Sequence, residues 1–154
     1  MIATEMSRIE KPIFLRAPRA RCWRALTDVQ EFCKWFGVKI DGVFEPGARL
    51  RMVATQPGYE GMTVDFVIQQ MEPERLFSWR WHPGAPDAAT DYSKEPTTLV
   101  EFHLEDAEGG TLLTVRETGF DEISLARRAR VYKQNNDGWA EQLESIHRYV
   151  GEPA

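Results

Sequence analysis

The fold of this chain is indicated most clearly by residues 72–82, which read EPERLFSWRWH. Pro73 stands between two glutamates, a composition typical of a turn. Beyond it, Phe77, Trp79 and Trp81 alternate with smaller or charged residues. An alternation of period two predicts a β-strand, and one face of this strand carries all three aromatic rings. The rings predict a covered face, and the residues between them predict a face in water.

The same alternation recurs on both sides of this strand. The other predicted strands are Arg8–Leu15, Val38–Phe44, Arg49–Ala54, Tyr59–Met71, Thr97–Leu104 and Thr111–Thr118. Turn-forming residues separate two pairs of these strands, at Glu45-Pro46-Gly47 and at Glu108-Gly109-Gly110. Because each strand has one apolar side, the pattern predicts an antiparallel sheet with one covered face.

The end of the chain has a helical pattern instead. Apolar residues step by four, three and four along it, at Trp139, Leu143, Ile146 and Val150. This spacing predicts an apolar stripe on one long helix, with Asp121 as the expected cap. Residues 135–138 read NNDG, so the sequence leaves open whether the helix is broken there or continuous.

Shorter helices are predicted before the run of strands. Pro18 suits the first turn of one helix, and a second helical stretch ends at Gly37. The element order is then strand, two short helices, about six strands and a long helix. That order predicts an α+β fold with the helices on one face of the sheet, in a single domain over residues 1–154.

Composition excludes several classes of function. The chain has 19 basic and 24 acidic residues, and its net charge of −5 argues against nucleic-acid binding. No stretch approaches the roughly 20 apolar residues of a membrane-spanning helix, and the first ten residues lack a signal-peptide core. Cys22 and Cys33 are too few for a disulfide framework. We therefore expect a cytoplasmic protein without membrane insertion.

Metal and cofactor signatures are also missing from the sequence. His82, His103 and His147 are too scattered for a metal-ligand pattern. The chain has no glycine-rich phosphate or dinucleotide motif and no nucleophile elbow. The sequence therefore predicts neither a metal nor a cofactor.

Taken in order, several of these segments resemble one known superfamily. They are Pro18 with Trp23 and Leu26, Phe32–Phe36, Phe44-Glu45-Pro46-Gly47, Glu72–Leu76 leading into Ser78–Trp81, Thr111–Val115 through Gly119-Phe120, and Gly138-Trp139 with Leu143. Together they are similar to the START-like (SRPBCC) superfamily, in the branch related to the activator of the heat-shock-protein 90 ATPase. The resemblance implies a helix-grip fold, in which a curved antiparallel sheet wraps around the C-terminal helix and leaves a cavity. Relatives use that cavity to bind lipids, sterols or polyketides, or as an active site, and others are co-chaperone modules.

The resemblance and the strand alternation together predict a site in that cavity. The candidate ligand-binding residues are Trp35, Met52, Phe66, Trp79, Trp81, Phe102, Glu117, Trp139 and Leu143. Walls of aromatic rings and methionine suit a small hydrophobic molecule of lipid, polyketide or aromatic type. Whether these side chains surround a ligand or only fill one another's space stays open. Residues 82–96 are long for a hairpin loop, and Tyr92 within them is a candidate lid residue.

Glu117 is the candidate polar group of this cavity. The alternation that buries Leu113 and Val115 turns Glu117 inward as well, unless the strand frays near Gly119. Burial raises the pKa of a carboxyl group, which suits a polar anchor or a general acid or base. An alternative function is therefore a cyclase, dehydratase or hydrolase that needs a second polar group beside Glu117.

A second alternative is a co-chaperone-like protein-interaction module. It predicts a filled core and an exposed apolar patch. A homodimer is also a possibility, because exposed sheet edges tend to pair.

Overall fold

A seven-stranded antiparallel sheet organises the protein, whose computed structural model describes residues 7–83 and 96–151. The strands are β1 (Arg8–Leu15), β2 (Val38–Ile40), β3 (Arg49–Ala54), β4 (Thr63–Glu72), β5 (Leu76–Trp81), β6 (Thr98–Ala107) and β7 (Gly110–Thr118). Their spatial order is β1-β7-β6-β5-β4-β3-β2, so the first strand joins the sheet beside the last. The sheet curves around the C-terminal helix, and the predicted α+β helix-grip fold is confirmed.

Three α-helices accompany the sheet: α1 (Arg19–Thr27), α2 (Val29–Phe36) and α3 (Leu125–Gly151). The Asp28 side chain caps α2 by accepting a hydrogen bond from the Glu31 N–H at 3.1 Å. α2 ends at Gly37, whose φ of 80° lies in the left-handed region that glycine adopts without strain. Both short helices lie where the sequence predicts them.

The C-terminal helix is continuous through residues 135–138. Its 27 residues include all of them, and the side chain of Lys133 bonds that of Asp137 at 2.8 Å, one turn further on. Val131 and Trp139 are buried on either side of this stretch. Burial of the apolar stripe therefore outweighs the low helix propensity of asparagine and glycine.

Four predicted boundaries are wrong by three residues or more, and one of them is the end of β6, at Ala107 instead of Leu104. Residues 120–122 form a short 3₁₀ turn that contains Asp121, and α3 begins only at Leu125. β2 ends at Ile40 instead of Phe44. β4 begins at Thr63 instead of Tyr59, because residues 56–62 form successive turns that include two glycines with positive φ. Turn hydrogen bonds override the apparent alternation there.

Aromatic rings fill much of the space between the sheet and the helices. We call Phe32, Phe44, Phe66, Phe77 and Phe102 the phenylalanine cluster. Each is at most 8% exposed, and adjacent rings have centroids 5.2 to 6.2 Å apart. Trp79 contacts this cluster on one side and Trp81 and Trp139 on the other. In this part of the molecule the rings fill one another's space.

Candidate functional site

Glu117 lies at the centre of the candidate site. Alternate residues of β7 are buried, and the carboxyl group of Glu117 is fully enclosed, as the alternation predicts. Leu113 and Val115 precede it on the same face of the strand. The strand continues in regular pairing to Thr118, so it does not fray at Glu117.

Four side chains donate hydrogen bonds to this carboxyl group. Trp139 Nε1 reaches Oε1 at 2.7 Å, and Trp81 Nε1 reaches Oε2 at 2.9 Å. Thr98 Oγ1 lies 2.5 Å from Oε2, and Asn135 Nδ2 lies 3.0 and 3.1 Å from the two oxygens. The donors come from β5, β6 and α3, so Glu117 ties the helix to the sheet.

No basic side chain takes part in this network within the described residues. Arg116, the next residue along β7, points outward and pairs with Glu10 and Glu101 at 3.1 and 3.7 Å. Burial raises the pKa of Glu117, and the hydrogen bonds from Thr98 and the other donors lower it in part. The carboxyl group is therefore stabilised by neutral donors alone.

An open cleft of about 960 Å³ lies next to this network. Its helix side includes Asn135, Gly138, Trp139, Gln142 and Ser145. Its sheet side includes Met52, Ala54, Val64 and Trp81, and the turns before β4 add Tyr59 and Met62. Trp81 and Trp139 stack with centroids 5.9 Å apart, and their N–H groups turn away to Glu117. The carboxyl group therefore holds two rings of the cleft wall from behind.

The nine predicted ligand-binding residues fall into two groups. Met52, Trp81 and Trp139 line the cleft. The other six do not line it: Trp35, Phe66, Trp79, Phe102, Glu117 and Leu143. Burial alone does not separate the two groups, because Met52 and Trp139 are also at most 3% exposed. Trp35, for example, donates its N–H to the carbonyl of Ala25 at 2.7 Å and so joins α2 to α1. Most of the predicted set therefore lies in packed core behind the cleft.

Sequence reasoning missed several residues of the site. Asn135 precedes Trp139 by one helical turn, and this spacing is a signal that both side chains share a face. Thr98 reaches Glu117 only because β6 pairs with β7, with Val100 opposite Glu117. Such a contact depends on strand register, which a single sequence does not display.

Trp79 differs from its two indole neighbours. It is completely buried, and its Nε1 has no hydrogen-bond partner among the described residues. A buried donor without an acceptor costs about 1–3 kcal/mol. The rings of Phe32, Phe66 and Phe102 surround it instead of polar groups.

The second polar group that the enzymatic alternative requires is present, as Thr98 and Asn135. However, every donor near Glu117 already bonds it, and its side chain is fully buried. A general base must reach the proton of a substrate, and in this arrangement the carboxyl group reaches only protein side chains. The geometry therefore fits a structural anchor of the cleft wall.

Other chemistry has little support in the described parts of the chain. There, no three His, Cys, Asp or Glu side chains come together as a metal site. No helix within residues 7–83 and 96–151 combines the length and apolarity of a bilayer-spanning segment. The candidate lid residue Tyr92 lies outside the described residues.

The curved sheet, the long C-terminal helix and the cleft between them define a helix-grip protein of the START-like class. Residues 16–151 match the family model described as "Activator of Hsp90 ATPase homolog 1-like protein". The chain belongs to this family, which confirms the resemblance read from the sequence. A search of curated proteins finds no match.

Solved structures share the fold. Protein MLL2253 from Mesorhizobium loti is 23% identical with a TM-score of 0.72, and the match covers 92% of this chain and 94% of that one. The Aha1 dimer from Colwellia psychrerythraea is 20% identical with a TM-score of 0.69, covering 94% and 96%. DynU16, described as a protein in the dynemicin biosynthetic locus, is 22% identical with a TM-score of 0.71, covering 94% of this chain and 47% of that one.

Proposed function

We propose that this protein binds a small, mainly apolar molecule in the cleft between the sheet and α3. The observation that carries the proposal is the pair of stacked indoles, Trp81 and Trp139, which line the cleft while Glu117 holds their N–H groups. Trp81 is half-buried and presents its ring to the cleft, while Trp139 is 3% exposed and supports that ring by stacking on it. An indole fixed from behind loses little entropy when a ligand stacks on it. A volume of about 960 Å³ falls within the range of small-molecule sites.

The remaining wall suits an adaptable fit. Met62 lines the cleft with an exposed, flexible and polarisable side chain that can follow different ligand shapes, and the buried Met52 lies at its sheet side. Gly138 lies inside α3, where glycine costs about 1 kcal/mol relative to alanine. A Cβ atom built there would meet nothing within 4 Å, so the glycine keeps this wall open. The biosynthetic locus of the relative DynU16 further supports a role with small molecules.

Ligand retention tests the proposal directly. Native mass spectrometry of the protein purified from its own host should show a bound small molecule, and apolar ligands should raise the melting temperature. Failure of both measurements would refute the proposed function.

Two helix variants then locate the site. Gly138→Leu places a side chain in the cleft without backbone strain, and we expect it to weaken binding at least about tenfold, since it occupies the ligand's volume. Ala140→Leu is the matched control, because Ala140 is exposed on the same helix and does not line the cleft. Equal binding by both variants would show that the ligand lies elsewhere.

The co-chaperone-like alternative has weaker support. It predicts an exposed apolar patch. The large apolar side chains exposed in the described residues are Phe14, Val43, Tyr59, Met62 and Leu125. They come from separate parts of the chain, and Tyr59 and Met62 belong to the cleft. We therefore favour the small-molecule function over this one.

A homodimer stays a prediction. The similar Colwellia protein is a dimer. In this chain both sheet edges are poor templates for pairing, because β2 has three residues and β1 contains Pro12, which lacks an N–H group. Light scattering on the purified protein measures the oligomeric state, and we expect any dimer to use another surface.

A further inference from the structure

We propose that the cleft selects molecules that carry hydrogen-bond donors, namely hydroxyl or amino groups on an apolar body without negative charge. This inference rests on the proposed function and specifies its ligand class. It follows from the way in which four polar side chains of the cleft are already bonded. These are Gln56, Asn135, Gln142 and Ser145.

Asn135 has its orientation imposed by Glu117. Each carboxyl oxygen accepts an indole N–H, from Trp139 on Oε1 and from Trp81 on Oε2. An amide beside these oxygens must turn its nitrogen toward them, and Asn135 Nδ2 lies 3.0 and 3.1 Å away. The amide oxygen, Oδ1, then lies on the other side of the group.

The two glutamines are oriented by a backbone carbonyl. Gln142 Nε2 donates to the carbonyl oxygen of Phe36 at 2.9 Å, and Gln56 Nε2 donates to the same oxygen at 3.4 Å. A carbonyl oxygen only accepts, so neither amide can flip without losing its bond. Ser145 likewise uses its hydroxyl proton on the carbonyl of Trp35 at 2.5 Å.

The cleft is consequently rich in acceptors. One N–H of each glutamine, the amide N–H of Asn135 that faces Glu117 and the hydroxyl proton of Ser145 bond protein groups, while the oxygens of these side chains have no hydrogen-bond donor among the described residues. The three amide oxygens are not sealed from solvent either, since Trp79 Nε1 is the one fully buried side-chain nitrogen or oxygen without a partner in the described chain. A ligand hydroxyl or amine can bond these oxygens, and the carboxylates of Glu141 and Glu144, without displacing any existing bond. A ligand acceptor is limited to the second N–H of each glutamine and to the other donors of the lining, such as Tyr59 and Arg148.

The charges around the cleft act in the same direction. Glu141 and Glu144 line it on the helix side, against one guanidinium, that of Arg148, in the described lining. Asp137 lines it too, but Lys133 pairs with that carboxylate at 2.8 Å. A carboxylate or sulfate on the ligand would meet like charges here, which disfavours anionic lipids.

Three probes of one shape test the donor preference: 2-naphthol, 2-methylnaphthalene and 2-naphthoate. Titration calorimetry or quenching of Trp81 and Trp139 fluorescence measures their affinities at constant pH and salt. We expect 2-naphthol to bind about tenfold more tightly than 2-methylnaphthalene, as one added hydrogen bond provides, and 2-naphthoate to bind most weakly. Equal affinities for the first two probes, or tightest binding of the anion, would overturn the inference.

Variants assign the preference to particular oxygens. Asn135→Leu and Gln142→Leu should each reduce the ratio of 2-naphthol to 2-methylnaphthalene affinity, while retaining the apolar probe. Gln142→Leu leaves the Glu117 network intact, so it remains informative if Asn135→Leu folds poorly. Asn136→Leu is the matched control, because Asn136 does not line the cleft, and its ratio should equal that of the unmodified protein. An unchanged ratio in both cleft variants would contradict the assignment.

The two proposals fail differently. If the apolar probe binds and the hydroxyl adds nothing, the donor inference is wrong and the proposed function stands. If no probe binds and no ligand is retained from the host, the proposed function is wrong. If a retained host molecule is anionic or lacks a donor, its chemistry refutes the donor inference alone.

Discussion

The phenylalanine cluster and the paired indoles Trp81 and Trp139 occupy neighbouring parts of one interface, yet they solve different problems. In the phenylalanine cluster, rings without polar atoms pack against one another in edge-to-face, tilted and stacked pairs. At the paired indoles, each ring has an N–H group that must be satisfied, and Glu117 accepts both. The carboxyl group draws the rings into one wall and leaves a cleft in front of them.

The difference shows how one aromatic composition can form both a core and a binding surface. A phenylalanine ring has no polar atom, so packing against its neighbours alone decides its rotamer. An indole whose N–H is held by a hydrogen bond keeps one orientation even where the ring face toward the cleft is not packed against protein. Trp79 lies between the two regions. Its N–H has no acceptor among the described residues, whereas Glu117 accepts the N–H groups of Trp81 and Trp139.

The largest expected effect comes from breaking the phenylalanine cluster. Phe77→Ala removes a completely buried ring that stacks on Phe102 and contacts Phe44. We expect it to lower the free energy of unfolding by about 3–5 kcal/mol, because little can collapse into the cavity. Urea denaturation measures the change. A loss below about 1 kcal/mol would mean that the cluster is loosely packed.

Replacing each of the three indoles by phenylalanine separates the effect of the N–H hydrogen bonds from that of ring volume. Trp81→Phe and Trp139→Phe each remove a bond to the buried carboxyl group, whereas Trp79→Phe removes a donor that has no partner among the described residues. Hydrogen bonds to charged groups contribute about 1.5–3 kcal/mol. We expect the first two variants to lose about 2 kcal/mol more than Trp79→Phe in urea denaturation. The opposite ranking would show that ring volume matters more than the N–H bonds.

The pH dependence of stability reports on Glu117. Burial raises its folded pKa above the usual value of 4.5, so the folded state holds this proton more tightly than the unfolded state. The associated stability is fully present below pH 4.5 and is lost as the pH rises through the folded pKa. We therefore expect the protein to lose stability relative to Glu117→Gln as the pH rises above 4.5, by up to about 1.4 kcal/mol per pH unit.

Comparing the protein with Glu117→Gln removes the pH-dependent contributions of the other carboxyl groups to stability, because both proteins share them. Neighbouring arginines hold the pKa values of Glu31 and Asp65 below the usual range. The stability that these two carboxylates contribute is therefore lost at acid pH, equally in both proteins. Unfolding curves at several pH values give the difference directly. A difference that does not change with pH would mean that the pKa of Glu117 is the same in the folded and unfolded protein.

The smallest expected effect is a gain at the cleft wall. Gly138→Ala adds a methyl group that meets nothing within 4 Å, and it should stabilise α3 by about 0.5–1 kcal/mol. Gly37→Ala is the contrasting variant, because its Cβ would lie 2.4 Å from Gln56 Nε2 on a backbone with φ of 80°. The melting temperature should therefore rise for Gly138→Ala and fall for Gly37→Ala. Equal shifts would contradict the open wall at Gly138.

Much of the fold is predictable because periodicity reports burial. The bounds of β1 and β3 agree with the prediction, and the four stripe residues of α3 are all buried. The inward direction of Glu117 follows from the same period of two. These features depend on local geometry, which the sequence displays directly.

The cleft is harder to predict because it depends on contacts between distant segments. The acceptor set around Phe36 requires Gln56 and Gln142 to converge on one carbonyl group. Alternation also cannot separate Trp79 from Trp81, since both share the inward face of β5 while only one reaches the cleft. Whether a ring packs or lines a surface depends on what stands opposite it.

The strand order β1-β7 also determines when the chain can finish folding. Arg8 pairs with Thr118, so β1 is made first but must wait for nearly the whole sheet before its partner exists. Ile9 and Leu15 are both buried in the folded protein. During synthesis, the β7 strand that pairs with β1 is not yet available to them. Such distant pairing slows folding and prolongs the exposure of apolar side chains. α3 also packs on β1, so the contacts that bury β1 come from the last strand and the last helix of the described chain.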